Sequence, residues 1–346
     1  MRKALPLILA STLLFAGQAN AQDQGRVPYI DTHAHLHGVI GQGRTDYDGA
    51  ARQAVQAMDE LGIRQTIVLP PPFTSGHAMV SFDAETLLPV VNKYPDRFRF
   101  MAGGGALSPM LLDAAKETTV SEELRARFKA AAEKVAASGA VAFGEIALEH
   151  FALGPNHHYE QAPPDHPLML LLADIAAEKD MPIEVHLEAI EREAPIGERY
   201  AALGNPPVMK PNIEAFERLL SHNRKARFVW AHLGWDNSGQ RTPDLMARLF
   251  AAHPNLFANI KMGPDSLPAN RPLERGKGLT AEWKPLFDKF ADRLMLGSDQ
   301  FYVTPGANAR FPQHMRPVRD LLDALPRDQA IKIGYENAVK VYRLER

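Results

Sequence analysis

The sequence predicts an α/β fold of the (β/α)8 barrel (TIM barrel) class, with long loops on the C-terminal face of the barrel. Three observations lead there. Eight short apolar runs alternate with stretches of helical composition, the pattern of repeated βαβ units. Five of the runs, the first, fourth, fifth, sixth and eighth, stop at a histidine, glutamate or aspartate. Such groups are costly to bury unless something pairs them. A closed barrel brings all its strand ends to one rim, whereas an open doubly wound sheet would not gather those five onto one point.

The first residues stand apart from this pattern. Arg2 and Lys3 precede an apolar run from Leu5 to Ala16, and Ala19-Asn20-Ala21 precedes Gln22. That is the layout of a secretory signal with an A-x-A cleavage site. The run is short for a membrane span, and an uncleaved anchor is the alternative. Residues 1–21 are expected to be removed and 22–346 to form a single domain in a periplasmic or secreted protein, with no membrane attachment afterwards. Losing Arg2 and Lys3 takes the formal net charge from −2 to −4.

The first strand, Tyr29-Ile30-Asp31-Thr32-His33-Ala34-His35, starts apolar and ends in histidines. Residues two apart on a strand share a face, so His33 and His35 project together. Ala51 to Leu61 reads as a helix closed by Gly62. Ile63 to Leu69 is the second strand, stopped by Pro70-Pro71-Pro72, and Ala84 to Tyr94 is helical. Phe98 to Ala102 is the third strand. The Gly103-Gly104-Gly105 that follows lacks the Lys-Ser/Thr of a phosphate loop and reads as a turn needing positive φ or close backbone approach.

Ser121 to Ala137 is an amphipathic helix with Ser121 as its cap, and Ala140 to Ile146 is the fourth strand. Helices Leu168–Lys179, Asn212–Ser221, Thr242–Ala252 and Ala281–Phe290 alternate with strands Met181–Leu187, Arg227–Leu233, Leu256–Met262 and Leu294–Ser298. Val318–Ala324 and Glu336–Arg343 complete the helical layer. Three connections, Glu149–Pro167, Glu188–Pro211 and Gly263–Thr280, follow strands and are expected to form lids.

Composition narrows the chemistry. The chain has no cysteine, which excludes disulfides and thiolate metal sites. A transition metal would be held by His, Asp or Glu, a donor set suited to zinc, manganese or iron. The charge is nearly balanced, without the basic stripe of a nucleic-acid binder. A small-molecule substrate is the expected partner, and the oligomeric state is left open, a homo-oligomer included.

The candidate ligands stand at strand ends: His33 and His35, Glu145 in Phe143-Gly144-Glu145-Ile146, His186 in Ile183-Glu184-Val185-His186, His232 in Val229-Trp230-Ala231-His232, and Asp299 in Leu296-Gly297-Ser298-Asp299. One ion at the top of a barrel would relieve the burial cost of all of them together.

These motifs resemble the amidohydrolase superfamily, and in particular its amidohydrolase-related branch, which also contains metal-dependent decarboxylases. The match spans nearly all of the chain after the signal and includes Asn337-Ala338 near its end. The resemblance implies a divalent metal, zinc first, with one or two ions per chain. It implies that Asp299 takes a proton from a water, that His186 fixes the ion with the first-strand pair, and that His232 ligates a second ion or polarises the scissile carbonyl. Glu145 has two readings. In TatD-like relatives a G-E-I glutamate bridges two metals; in mononuclear members this position is not a ligand, and the carboxylate would orient a histidine. With no lysine at this position, a carboxylated-lysine bridge is not expected.

Further residues are candidates for the substrate. Lys261 and Asn259 share a face of the seventh strand, and Lys261 would suit an anion or salt-bridge the rim. Trp235, with Trp230 and Tyr302, would line a pocket or simply pack. Arg241, Arg271, Arg275 and Arg310 would clamp an anion from the lids; His37, His150, His157 and His158 read as loop residues. The leading expectation is a metal-dependent hydrolase of an ester, lactone, amide or related bond. The alternatives are a non-oxidative decarboxylase and a barrel that binds without catalysis.

Overall fold

The computed structural model describes residues 25–72, 82–154, 157–264, 266–274 and 276–345. The expected signal segment and Arg275 lie outside them. Eight parallel strands form the barrel: β1 (Tyr29–His37), β2 (Ile63–Val68), β3 (Phe98–Phe100, resuming at Ala102–Gly103), β4 (Phe143–His150), β5 (Ile183–Leu187), β6 (Phe228–Leu233), β7 (Leu256–Ile260) and β8 (Leu294–Leu296). Each pairs with the next in the chain, and β8 returns to β1 with Leu296 opposite Asp31. The ring closes through β3. Its first half pairs with β2 and its second with β4. A closed ring has no strand edge and sends every strand end to one rim.

Among the described residues the longer helices are α1 (Tyr47–Leu61), α2 (Ala84–Lys93), α3 (Leu107–Ala114), α4 (Glu122–Ala137), α5 (Pro167–Lys179), α6 (Ile213–His222), α7 (Pro243–Ala252), α8 (Lys284–Phe290), α9 (Met315–Ala324), α10 (Arg327–Ile331) and α11 (Asn337–Tyr342), with one short turn of helix at Glu198–Ala201. Their ends follow local chemistry. The Ser121 hydroxyl accepts from Leu124 N–H at 3.1 Å and that of Thr242 from Leu245 N–H at 3.2 Å, caps that contribute about 1 kcal/mol each. Gly62 closes α1 at φ 70°, as its position after Leu61 predicts. Gly103 has φ 107°, and a Cβ on Gly104 would sit 2.7 Å from the Pro70 carbonyl oxygen. The glycine run is therefore a strand-end turn. No helix among the described residues is long and apolar enough to cross a membrane.

Three of the differences from expectation lie close to the upper barrel. β4 starts at Phe143, not Ala140, and runs on to His150, because Glu149 and His150 pair antiparallel with Gln161 and Glu160. α3 forms directly after the glycine turn. Gln300–Val303 adds a strand segment alongside Ala34–His37, taking over beside β1 where β8 stops.

The core has two main compartments. One lies between the barrel and its helices, where Trp230 packs on Phe216 with ring centroids 4.9 Å apart. The other fills the lower barrel with Ile30, Ile67, Met101, Val229, Phe257 and Met295, and α11 plugs it from below with Ala338, Val341 and Tyr342. Fully burying a large apolar side chain contributes roughly 1.5–3 kcal/mol. With the lower barrel filled by hydrocarbon, the polar strand ends collect in the upper barrel.

Candidate metal centre

The upper barrel gathers six residues from β1, β4, β5, β6 and the turn after β8. His33 and His35 leave β1 with their Nε2 atoms 3.1 Å apart. Asp299 Oδ1 lies 3.5 Å from His33 Nε2 and 3.1 Å from His35 Nε2. Glu145 sits between two histidine pairs. Its Oε1 is 2.8 Å from His186 Nδ1 and 3.1 Å from His232 Nε2. Its Oε2 is 3.6 Å from His33 Nε2 and 3.9 Å from His35 Nε2.

Two of these residues leave their strands through unusual backbone. His232 has φ 72° and Asp299 φ 53°, a region that costs non-glycine residues about 1–3 kcal/mol each. Neighbours hold both in place. His232 N–H donates to Asn259 Oδ1 at 2.9 Å, and Asp299 N–H to the His33 carbonyl at 2.8 Å. Ser298 is fixed in turn, its N–H donating to Asp31 Oδ1 at 2.8 Å.

The donor set fits a divalent ion, and the hydrogen bonds behind the histidines say why. A carbonyl can only accept, so His35 Nδ1, 2.9 Å from the Leu69 carbonyl, carries the ring proton. His33 Nδ1 faces the Glu184 carboxylate. Both Nε2 atoms then present lone pairs to each other and to the oxygens of Glu145 and Asp299. Acceptors facing acceptors in a buried site call for a cation between them. Two ligands of one tetrahedral ion, with bonds of about 2.0–2.1 Å, stand roughly 3.3 Å apart, close to the separations here.

The titration tendencies show the same demand for positive charge among these groups, met by a proton on His33 when no ion is bound. Burial pushes His33 down, yet Glu184, Glu145 and Asp299 outweigh it and hold it well above the usual histidine value. Burial would raise Glu145, but His33, His186 and His232 hold its carboxyl well below the ordinary range. Burial also opposes the ionised form of Asp299, and the Lys261 ammonium with the bonds from His33 and His35 overcomes it. His232 is driven well down by burial, helped by Lys261 and His33, and stays neutral.

Above the cluster opens a cavity of about 370 Å³. Trp235 and Lys261 line it, but Lys261 is not a free cation. Its ammonium donates to Asp299 Oδ2 at 2.5 Å and stands 3.5 Å from the Trp235 ring centroid. Asn259 lies outside the cavity and serves the His232 backbone. The arginine clamp is corrected by the geometry. Arg241 is buried, donates to the Ala231 and Leu187 carbonyls and stacks 4.3 Å from the Trp230 ring. Arg271 braces its own loop at Ser266, and Arg310 bonds the Ala307 and Ala309 carbonyls. Arg199, which the sequence did not single out, does line the cavity. Trp230 and Tyr302 pack away from it, and His158 is exposed.

His150 and His157 are not solvated loop residues. Their rings stack 4.5 Å apart on the cavity wall, and His150 stands 4.0 Å from the His186 ring. The lids after β4 and β5 supply residues, as predicted. The connection Gly263–Thr280 folds a small hairpin, and none of its described residues reaches the cavity. Residues 304–314 take its place and contribute Phe311, which stacks on Phe301, itself stacked on His35 at 4.3 Å. His37, the last residue of β1, turns toward Phe311.

Two buried carboxylates behind the histidines were not anticipated. Glu184 backs His33, and Glu188 Oε1 lies 3.6 Å from His186 Nε2. For Glu184 the signal was present, since it lies two residues before His186 on one strand face.

The closed barrel agrees with solved structures. An uncharacterized TIM-barrel protein, Bb4693 from Bordetella bronchiseptica, is similar at TM-score 0.56 and 15% identity over 91% of this chain and 98% of its own. A 2,6-dihydroxybenzoate decarboxylase in complex with 2,6-dihydroxybenzoate is similar at 0.51 and 14% over 92% and 99%. One from Rhizobium is similar at 0.50 and 15% over 91% and 98%. At these identities the likeness is one of fold. No curated protein is similar enough to match. The family model described as "Amidohydrolase" matches residues 30–344, which hold all six candidate metal-binding residues, so the chain belongs to the amidohydrolase family.

Proposed function

We propose that the chain is a metal-dependent hydrolase that cleaves an ester, lactone, amide or related bond of a small substrate. One observation supports it above the others: the two oxygens of Glu145 face two different histidine pairs, an arrangement suited to bridging two ions. We take the metal to be zinc, from nitrogen and oxygen donors without thiolate.

When bound, a divalent ion supplies Lewis acidity and lowers the pKa of a water toward neutrality. The chain's own residues do the rest. Asp299 has one oxygen toward the β1 histidines and the other held by Lys261. Kept ionised there, it takes the proton of the attacking water and delivers it to the leaving group. His232, neutral and beside Glu145, orients the scissile carbonyl or completes the second half of the site. Trp235, Phe301 and Phe311 form an apolar wall that keeps bulk water away.

Glu145→Gln tests the bridge. Elemental analysis should show the loss of about one metal equivalent. If the carboxylate only orients histidines, affinity should fall roughly 10- to 100-fold at unchanged stoichiometry. Unchanged metal content and activity would remove Glu145 from the site.

Non-oxidative decarboxylation is the second reading. The flat lining of Trp235, Phe301 and Phe311 favours it, because it suits a planar ring acid like the one named for the two decarboxylases of similar fold. Turnover in ¹⁸O-labelled water separates the two. A hydrolase places the label in a product carboxylate, phosphate or hydroxyl. Release of CO₂, with solvent deuterium at the vacated carbon, would overturn hydrolysis in favour of decarboxylation.

A further inference from the structure

His33 is gripped from both sides. Its Nε2 faces the ion-binding oxygens, and its Nδ1 meets Glu184 Oε1. Glu184 does not face the cavity. It points into the barrel from β5 and is fully buried. Its second oxygen, Oε2, accepts a hydrogen bond of 2.9 Å from the Tyr342 hydroxyl. Tyr342 belongs to α11 at the opposite end of the barrel. It packs among Ile30, Val229, Phe257 and Met295, each the second residue of its strand. An unbroken path, His33 to Glu184 to Tyr342, therefore runs down the barrel from the strand C-termini to the plug below.

We propose that Tyr342 is a positioning residue of the metal centre, its hydroxyl fixing Glu184 and Glu184 fixing the ring and tautomer of His33. The inference rests on the reading that this cluster holds a divalent ion. A carboxylate in a hydrocarbon layer needs partners on both oxygens. Here one partner is the ligand's own N–H and the other is the phenol, which burial and Glu184 keep protonated as a donor. Removing the hydroxyl leaves Oε2 without its donor and frees the carboxylate to turn away from His33. Carboxylates behind ligand histidines commonly set affinity by about 10- to 100-fold. One step further out, Tyr342 should act toward the lower end.

The test is zinc affinity by competition with a chromophoric chelator, measured on the full chain. Tyr342→Phe should weaken zinc binding about tenfold, in line with that lower end. Tyr29→Phe is the control: Tyr29 is equally buried, but its hydroxyl has no hydrogen-bond partner among the described residues. Melting of the metal-free proteins reports any purely structural cost. Glu184→Gln is the second variant and should weaken zinc binding at least as much. If the phenol acts through Glu184, the double variant should be no weaker than Glu184→Gln alone. Unchanged affinity in Tyr342→Phe would overturn the inference. So would equal losses in Tyr342→Phe and Tyr29→Phe, or simple additivity in the double variant. Should Tyr342→Phe fail to fold, full zinc affinity in Glu184→Gln alone would overturn it. A wild-type chain that binds no zinc would instead overturn the metal reading beneath it.

Discussion

Asp299→Asn is expected to lower turnover by about 10²- to 10⁴-fold, the usual cost of removing a general base. The amide keeps the shape of the carboxylate but cannot take a proton from water at neutral pH. In the proposed mechanism it receives that proton, and its Oδ1 lies 3.1 Å from His35 Nε2. The substitution has a second consequence. Lys261 is buried and spends its charge on Asp299 Oδ2 at 2.5 Å. Breaking a fully buried pair by neutralising one partner costs about 3–5 kcal/mol, and this pair, with Asp299 partly exposed, should lose less. Activity must therefore be measured well below the melting midpoint, on a substrate the wild type turns over. The double variant Asp299→Asn with Lys261→Met separates the effects. It removes the stranded ammonium, so it should recover stability and leave turnover as low as in the single variant. Recovery of more than half the wild-type rate in either protein would take Asp299 out of the catalytic role.

The sequence made the barrel legible because its signal is local. Apolar runs such as Ile63–Val68 and Phe228–Leu233 are bounded by turn residues, and caps such as Ser121 and Gly62 act within a few residues of where they stand. Five polar strand ends then converge because the ring closes, and the His33, His35, Glu145, His186, His232 and Asp299 set follows from that closure. What stayed hidden depends on distant partners. Glu149 and His150 look like loop residues until Glu160–Gln161 folds back on them. Glu184 shares a strand face with His186, but its role shows only when His33, 151 positions away, turns its Nδ1 toward it. Lys261 reads equally as a substrate contact or a rim salt bridge, because nothing near it in sequence announces Asp299, 38 residues on. Arg241 looked like a clamp for the same reason, since the carbonyls it holds belong to β5 and β6. α3 is not legible locally, because Leu107-Ser108-Pro109 comes just after the glycine run and has no capping side chain.

Stripping the metal should abolish turnover and lower the thermal midpoint, and the second effect can be read without knowing the substrate. Elemental analysis of the purified chain should find one or two divalent ions, and chelation should remove them. An ion held only by the folded chain stabilises it by about 2.7 kcal/mol at a hundred times its dissociation constant. That corresponds to several degrees, given roughly 2–4 °C per kcal/mol in domains of 150–250 residues and somewhat less in a longer chain. The effect should also depend on pH, with a defined sign. His33 is raised well above the usual histidine value by Glu184, Glu145 and Asp299. In the metal-free chain a proton on His33 satisfies those carboxylates in part. That stabilisation is fully present below the unfolded-state histidine pKa of about 6.5 and is lost as pH rises through the higher folded value. An ion must displace the same proton, so binding weakens as pH falls. The gap in midpoint between metal-loaded and chelated protein should accordingly be largest at alkaline pH and shrink toward pH 6. A chain that melts identically with and without chelator across this range, keeps full activity and carries no metal would remove the ion from this site. The cluster of buried acids and histidines would then have to be satisfied by protons alone.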